Sequence, residues 1–231
     1  CVAWATSGCA TGSDAADRRP RPRIEQRQWD PFLDELEHRT FLFFWERANP
    51  VNGLVPDRWP TPSFSSIAAV GFALAAYPVG VERGWITREA ARGRVLTTLR
   101  FLHDAPQGPA PHGMTGYRGF FYHFLDMTTG ARFQDVELST VDTAWLIGGV
   151  LACEAYFDGG DAAETAIRDL ADALVRRVEW DWATPRPPLV TMGWTPENGF
   201  HHLDWRGLNE SMMVYVLGLG SPTHTLAAGA W

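Results

Sequence analysis

Residues 65–77 read SSIAAVGFALAAY. Two serines, residues suited to accept hydrogen bonds from the free N–H groups of a first helical turn, lead into a run without a single charge. A helix on the surface of a globular protein shows one polar face, and this one has none, so it is predicted to be buried on every side. Its neighbours have the opposite character. Upstream, Asp30 and Pro31 mark a helix start, and FLDELEHRTFLFFWERA (32–48) sets Phe32, Leu36, Phe43 and Phe44 on one stripe. Downstream, Thr87 caps the amphipathic WITREAARGRVLTTLRFLHD (85–104), where Ile86, Ala90, Val95, Leu99 and Leu102 face away from the arginines.

The same alternation returns further along. STVDTAWLIGGVLACEAYF (139–157) is almost uncharged, and AETAIRDLADALVRRVEW (163–180) carries Ile167, Leu170, Leu174 and Val178 on one side. A third apolar helix, from about Leu208 to Leu219, lies within GLNESMMVYVLGLGSPTH (207–224). The three apolar helices recur at about seventy residues, each unit being one buried and one surface helix. Inner and outer helices in alternation imply an all-α fold, an (α/α) toroid. A closed ring of this kind takes about six helix pairs and three are legible here, so the chain reads as half of such a domain, with inner-helix surface exposed along its open edges. Two segments have strand character, GFFYHFLDMTTGARFQDVEL (119–138) around a TTG turn and LVTMGWTPENGFHHLDW (189–205) around Pro196, Asn198 and Gly199. Both are predicted hairpins leading into a buried helix, which places the active face at the end of the ring where inner helices begin.

Composition bounds the partners. The chain has 231 residues, 45% hydrophobic and 20% charged, enough to bury a sizeable core. A net charge of −7, with no basic cluster beyond RRPRPR, argues against nucleic acid, and no apolar window is long enough to span a membrane. Cys1, Cys9 and Cys153 form no metal-spaced set and no disulfide framework. TSGC (6–9) has the small residues that precede the lipidated cysteine of a bacterial lipoprotein, so Cys9 is a candidate lipid anchor and the protein a candidate for the periplasm or cell exterior; a clipped fragment accounts for the same letters. Residues 1–28 read as this leader remnant and a disordered tether, and 29–231 as the helical domain. Eleven Trp and thirteen Phe serve either a bulky core or platforms for the apolar faces of sugar rings.

The acids are the chemical candidates. Asp142 stands near the start of the second inner helix with Glu137 just before it, and Glu210 holds the equivalent place on the third. A carboxylate at a helix N-terminus has an ordinary role on the dipole, worth roughly 0.3–1 kcal/mol. Glu210 is expected to do more, because Met213, Val214 and Leu217 share its helical face and would aim it into a cavity. Two carboxylates opening on one aromatic-lined hollow are what glycoside hydrolysis requires, one to protonate the leaving oxygen and one to activate water or attack. Trp145, Trp194 and Trp205 are candidate stacking platforms. His123 serves either a sugar hydroxyl or the core, and Arg58 is either a forked donor to hydroxyls or the partner of Asp57. His201, His202 and Asp204 only superficially resemble a metal cluster, since adjacent strand residues point to opposite faces.

GLVPDRW (53–59), SSIAAVGFALAAYPVGVERGWI (65–86), GFFYHFLD (119–126), ELSTVDTAWLIGGVL (137–151), MGWTPENGF (192–200) and NESMMVYVLGLGSPTH (209–224) together resemble the glucoamylase-like family of bacterial helical-toroid proteins, which includes endo-β-1,2-glucanases. The resemblance runs from about Arg39 to His224. It implies an (α/α) six-hairpin toroid whose cavity binds linear β-1,2-glucan and hydrolyses it with inversion, without metal or organic cofactor. Glu210 falls on the family's general acid and Asp142 on an acidic position lining the cleft. Three residues before Asp142, where the characterised glucanases carry another acid, this chain has Ser139, with Glu137 as the neighbouring carboxylate. The expected function is a glycoside hydrolase of β-1,2-glucan. The alternatives are a related domain that transfers the sugar to another hydroxyl, as in cyclic glucan synthesis, and a non-catalytic carbohydrate-binding module.

Overall fold

The structure is a computed structural model that describes residues 30–230. Cys9 and the expected tether over residues 1–28 lie outside the described residues. The described helices are α1 (Pro31–Arg47), α2 (Ile67–Glu82), α3 (Arg88–Asp104), α4 (Thr140–Tyr156), α5 (Ala162–Arg176) and α6 (Met212–Leu219). Side-chain caps set the first five starts, the first three as the sequence suggested. Asp30 accepts from the Phe32 N–H, Ser66 from Ala69, Thr87 from Ala90, Ser139 from Asp142, and Asp161 from Ala163 and Glu164. Helix α2 runs past the expected Tyr77, through Pro78, to Glu82, and α5 stops at Arg176, short of the expected Trp180, although Val178 and Trp180 are still buried in the loop beyond it.

The layering is the one expected. Helix α4 packs against α2 on one side and α6 on the other, forming an inner row, while α3 and α5 pack on each other behind α2 and α4, and α1 leans on α2. The tightest crossing is between α2 and α4. A Cβ on Gly71 would lie 2.4 Å from the Trp145 carbonyl oxygen, and one on Gly149 would lie 2.1 Å from that of Gly71, so the two backbones touch where neither residue has a side chain. One turn further on, Pro78 has no N–H to give the Leu74 carbonyl, and the Cys153 thiol on α4 donates to that oxygen instead at 3.1 Å. The middle helix is covered on both sides. By contrast, Phe72 and Val79 of α2 and Met212, Val216 and Leu219 of α6 are exposed apolar side chains at the two ends of the inner row. The result is an arc of an (α/α) toroid. No helix among the described residues is long and apolar enough to cross a membrane.

Short strands tie the inner helices together at their N-terminal ends. A five-stranded antiparallel sheet has the order β2 (Gly116–Tyr117), β3 (Phe120–Tyr122), β5 (Leu138–Ser139), β6 (Gly193–Thr195), β7 (Gly199–Phe200). A two-stranded sheet pairs β1 (Ser65–Ser66) with β4 (Phe124–Leu125). The expected hairpin at 189–205 is present, with Trp194 opposite Phe200. The expected hairpin at 119–138 is present as well, its arms pairing antiparallel through β3 and β5 with Tyr122 opposite Leu138. Its turn forms, with the Gly130 N–H on the Asp126 carbonyl at 2.9 Å and a bridge between Leu125 and Arg132, and β3 joins the larger sheet while β4 joins β1. The first arm thus lies beside the strands leading into two inner helices, β3 along β5 before α4 and β4 along β1 before α2.

Candidate active site at the N-terminal ends of the inner helices

His123 is the single residue between β3 and β4, and its backbone joins two helix starts. Its N–H donates to the Glu137 carbonyl at 2.9 Å, just before α4, and its C=O accepts from the N–H of Ile67, the first residue of α2, at 3.1 Å. The imidazole continues the theme. Nδ1 lies 2.9 Å from Glu137 Oε1, and Nε2 lies 3.6 Å from Asp142 Oδ2. The Ser139 hydroxyl donates to the same Asp142 oxygen while accepting from the Asp142 N–H at 3.2 Å. Glu137, His123, Asp142 and Ser139 therefore form one connected line across the mouth of α4. It remains partly open, with side-chain exposures of 30% for Glu137, 32% for His123 and 14% for Asp142.

The charges in this line push the groups apart. Burial works against a proton on His123, but the hydrogen bond to Glu137 and the charges of Asp142, Glu137 and Asp57 outweigh it, and its pKa stands above the ordinary histidine value. Glu137 is opposed by burial too, yet its bond to His123, together with the nearby imidazole charge, holds its pKa below the usual carboxylate range. Asp142 goes the other way. Burial raises it, His123 and Ser139 pull it down, and the charges of Glu137 and Glu210 raise it again, leaving it above the ordinary value. Two neighbouring carboxyls with opposite shifts are a recurring feature of acid–base sites.

Glu210 is where the structure departs most from the sequence. It is exposed, and it stands in the turn before α6 rather than on the helix, so it does not share a buried face with Met213, Val214 and Leu217. The cause is local. Gly207 has φ +74°, and the Asn209 side chain accepts from the Ser211 N–H at 3.0 Å and from its hydroxyl at 2.6 Å, which satisfies those donors outside a helix and delays its start to Met212. Glu210 nevertheless lies close enough to act electrostatically on Asp142, so the structure does bring it to the same end of the inner row.

Arg58 reaches this region through aromatic rings. Its guanidinium carbon is 5.5 Å from the Phe64 ring centroid, Phe64 is 4.2 Å from Phe124, and Phe124 stacks on His123 at 3.9 Å. It also lies 3.6 Å from Asp57, the pairing the sequence offered as its ordinary role. Trp145 is half-buried on α4 beside Phe72 of α2, and Trp194 belongs to a surface cluster with Tyr117 and Trp182. Trp205 is not presented as a platform. It is 8% exposed, and its indole N–H donates to Thr140 Oγ1 at 2.9 Å, pinning the loop before α6 to the start of α4. In the HHLD stretch, Asp204 is taken by Arg186 in a two-pronged pair at 2.9 and 2.6 Å. The sequence reading missed Ser139 as the residue holding Asp142 and Asp57 as a charge acting on His123. The signal for the first was present, since S-x-x-D before an apolar run is a capping pattern.

Paired inner and outer helices, with carboxylates and aromatic rings gathered where the inner helices begin, define an (α/α)-toroid protein. No family model matches the chain. Over 209 residues it is 30% identical to an exo-β-1,2-glucooligosaccharide sophorohydrolase (non-reducing end) from Parabacteroides distasonis, a match covering 86% of this chain and 28% of that protein. A Bacteroides uniformis structure provisionally named as a glucoamylase superposes with a TM-score of 0.78 at 29% identity, covering 89% of this chain and 50% of its own. An endo-β-1,2-glucanase from Chitinophaga pinensis, solved with sophorotriose and glucose, superposes with a TM-score of 0.74 at 27% identity, covering 85% and 48%. The chain is thus a homologue of glucoamylase-like and endo-β-1,2-glucanase family proteins, enzymes of the glycoside hydrolase class. It spans about a quarter of the length of the curated relative and about half of the solved structures.

Proposed function

We propose that the protein contributes the acid-bearing part of a β-1,2-glucan hydrolase site. The observation that carries this is the gathering of Glu137 and Asp142 around His123 at the N-terminal end of α4, with Glu210 before α6 close enough to act on Asp142 and the Phe64–Phe124 pair and Arg58 alongside. The two glucan-cleaving relatives supply the substrate class. Glu210 is the group that protonates the departing glycosidic oxygen. It is exposed, so a glucan settling over it is what would exclude water from its carboxyl. Glu137, held as the anion by His123, and Asp142, fixed by Ser139, face the sugar as acceptors that orient a hydroxyl or the attacking water. Hydrolysis without a covalent intermediate follows if water attacks from the face opposite Glu210.

The test is incubation of the protein with linear β-1,2-glucan while new reducing ends are followed, with Glu210→Gln in parallel. Release by the wild type, falling by about 10²–10⁴ in the variant, is the expected outcome for loss of a general acid. Equal turnover by both would remove Glu210 from the mechanism. Binding of glucan without release by either would favour the carbohydrate-binding reading.

A further inference from the structure

Histidines beside sugar sites are usually read as donors to a hydroxyl, but one ring nitrogen of His123 is already hydrogen-bonded within the protein and the other lies at ion-pair distance from a carboxylate. Nδ1 is on Glu137 and Nε2 faces Asp142, while the backbone on either side of the ring is anchored to the starts of α2 and α4. The side-chain hydrogen bond and the ion pair of Asp142 among the described residues both fall on one oxygen: the Ser139 hydroxyl and the imidazole both meet Oδ2. Oδ1 is left without a hydrogen-bond partner there. A carboxylate gripped by one oxygen, with the other free, is an acceptor held in a fixed direction. Two carboxylates this close would repel each other and swing apart if nothing lay between them.

We infer that His123 is a positioning residue rather than a sugar ligand: its imidazole clamps Glu137 and Asp142 on either side and, with Ser139, turns Asp142 Oδ1 out as the atom that receives a sugar hydroxyl. The inference rests on the proposed glucan site for the identity of the hydroxyl, but the clamp itself does not depend on it. The charged and titratable groups that face it are Glu137 just before β5, Asp142 from α4, Asp57 from the loop before β1, Glu210 from the turn before α6 acting on Asp142, and His201 just after β7 acting on Glu137. The direction of the histidine shift agrees with an imidazole carrying its proton between two anions.

The clamp is read by following the His123 ring nitrogens by NMR through a pH titration of the whole chain, assigned with His123→Gln. The wild-type ring should titrate above about 6.5, and Glu137→Gln should lower its midpoint by about one pH unit, with a smaller fall for Asp142→Asn, whose contact is longer. An ordinary midpoint that neither substitution moves, in variants shown by circular dichroism to be folded, would overturn the clamp. The second measurement is calorimetric binding of sophorotriose. His123→Gln should weaken it roughly three- to tenfold. It should also move the acid limb of binding to higher pH, because Asp142 loses the neighbouring cation that favours its anion. A histidine with a merely structural part would leave that limb in place. Unchanged binding at every pH would overturn the positioning role. If no version bound sophorotriose while the ring titrated as expected, the clamp would stand and the glucan reading would fall.

Discussion

Single side chains decide how firmly the inner helices are joined. The Cys153 thiol fills the hydrogen-bonding place that Pro78 leaves empty at the Leu74 carbonyl, in a site where burial pushes the thiol far above its usual pKa. Cys153→Ala would strand that carbonyl, and urea unfolding should show a loss of about 1–3 kcal/mol, with Cys153→Ser losing less because its hydroxyl can still donate. Trp205 is bonded to Thr140, whose own hydroxyl donates to the Thr191 carbonyl at 2.8 Å. Trp205→Phe removes the donor together with part of the buried ring, so about 1–3 kcal/mol of stability should go in the same assay. In the sequence these two residues stood out as one of three cysteines outside any metal or disulfide pattern and as a candidate stacking tryptophan. Their partners were not legible, because Leu74 and Thr140 are 79 and 65 positions away.

At the scale of elements, the α2–α4 contact holds the inner row together. Alanine is the better helix former by about 1 kcal/mol, so Gly71→Ala or Gly149→Ala would stabilise an isolated helix. Here the added carbon meets a carbonyl oxygen at 2.4 or 2.1 Å, part of a backbone that cannot swing away as a side chain could. Each substitution should therefore lower the thermal midpoint, at a cost of about 1–3 kcal/mol after repacking. An unchanged midpoint would mean that the helices do not cross this closely. Helix starts were the best-read elements: Ser66, Thr87 and Ser139 all cap where the apolar or amphipathic runs begin. The start of α6 was misread because the apolar run carried no sign that Asn209 would capture the Ser211 N–H and hydroxyl first.

For the whole molecule, ion pairs between distant segments set the response to acid. Arg88 bonds Glu164 through Nε at 2.7 Å and through a terminal nitrogen at 2.9 Å, and Arg132 grips Glu197 with both terminal nitrogens, at 2.7 and 3.1 Å. In both cases the guanidinium is the chief cause holding the carboxyl below its usual pKa, and backbone N–H groups do the same for Asp126. A carboxyl depressed in the folded state adds stability above its unfolded pKa and loses it as pH falls through the folded value. Stability should thus decline on acidification below about pH 4.3, measured by denaturant midpoints across pH. Asp142 opposes this slightly, since its raised pKa makes its protonation at low pH favour the fold. Arg88→Ala, which leaves the Glu164 carboxylate with the Gly159 N–H but without its bonded guanidinium, should cost about 1–3 kcal/mol at neutral pH and flatten the acid decline.

What the sequence determined by itself was the architecture and the cast of acids. Charge-free runs behind serine caps can only be buried helices, charged amphipathic runs can only flank them, and carboxylates beside those caps must gather wherever the inner helices begin. Tertiary structure alone decided how the gathered groups are wired: that His123 stands between Glu137 and Asp142, that Ser139 holds Asp142 by one oxygen, that Trp205 turns inward and that Glu210 waits in an exposed turn. The reason is range. Caps and periodicities act within one or two helical turns and leave their mark in adjacent letters, whereas these contacts depend on strands that pair across long stretches of chain and aim each side chain only once the sheet has formed.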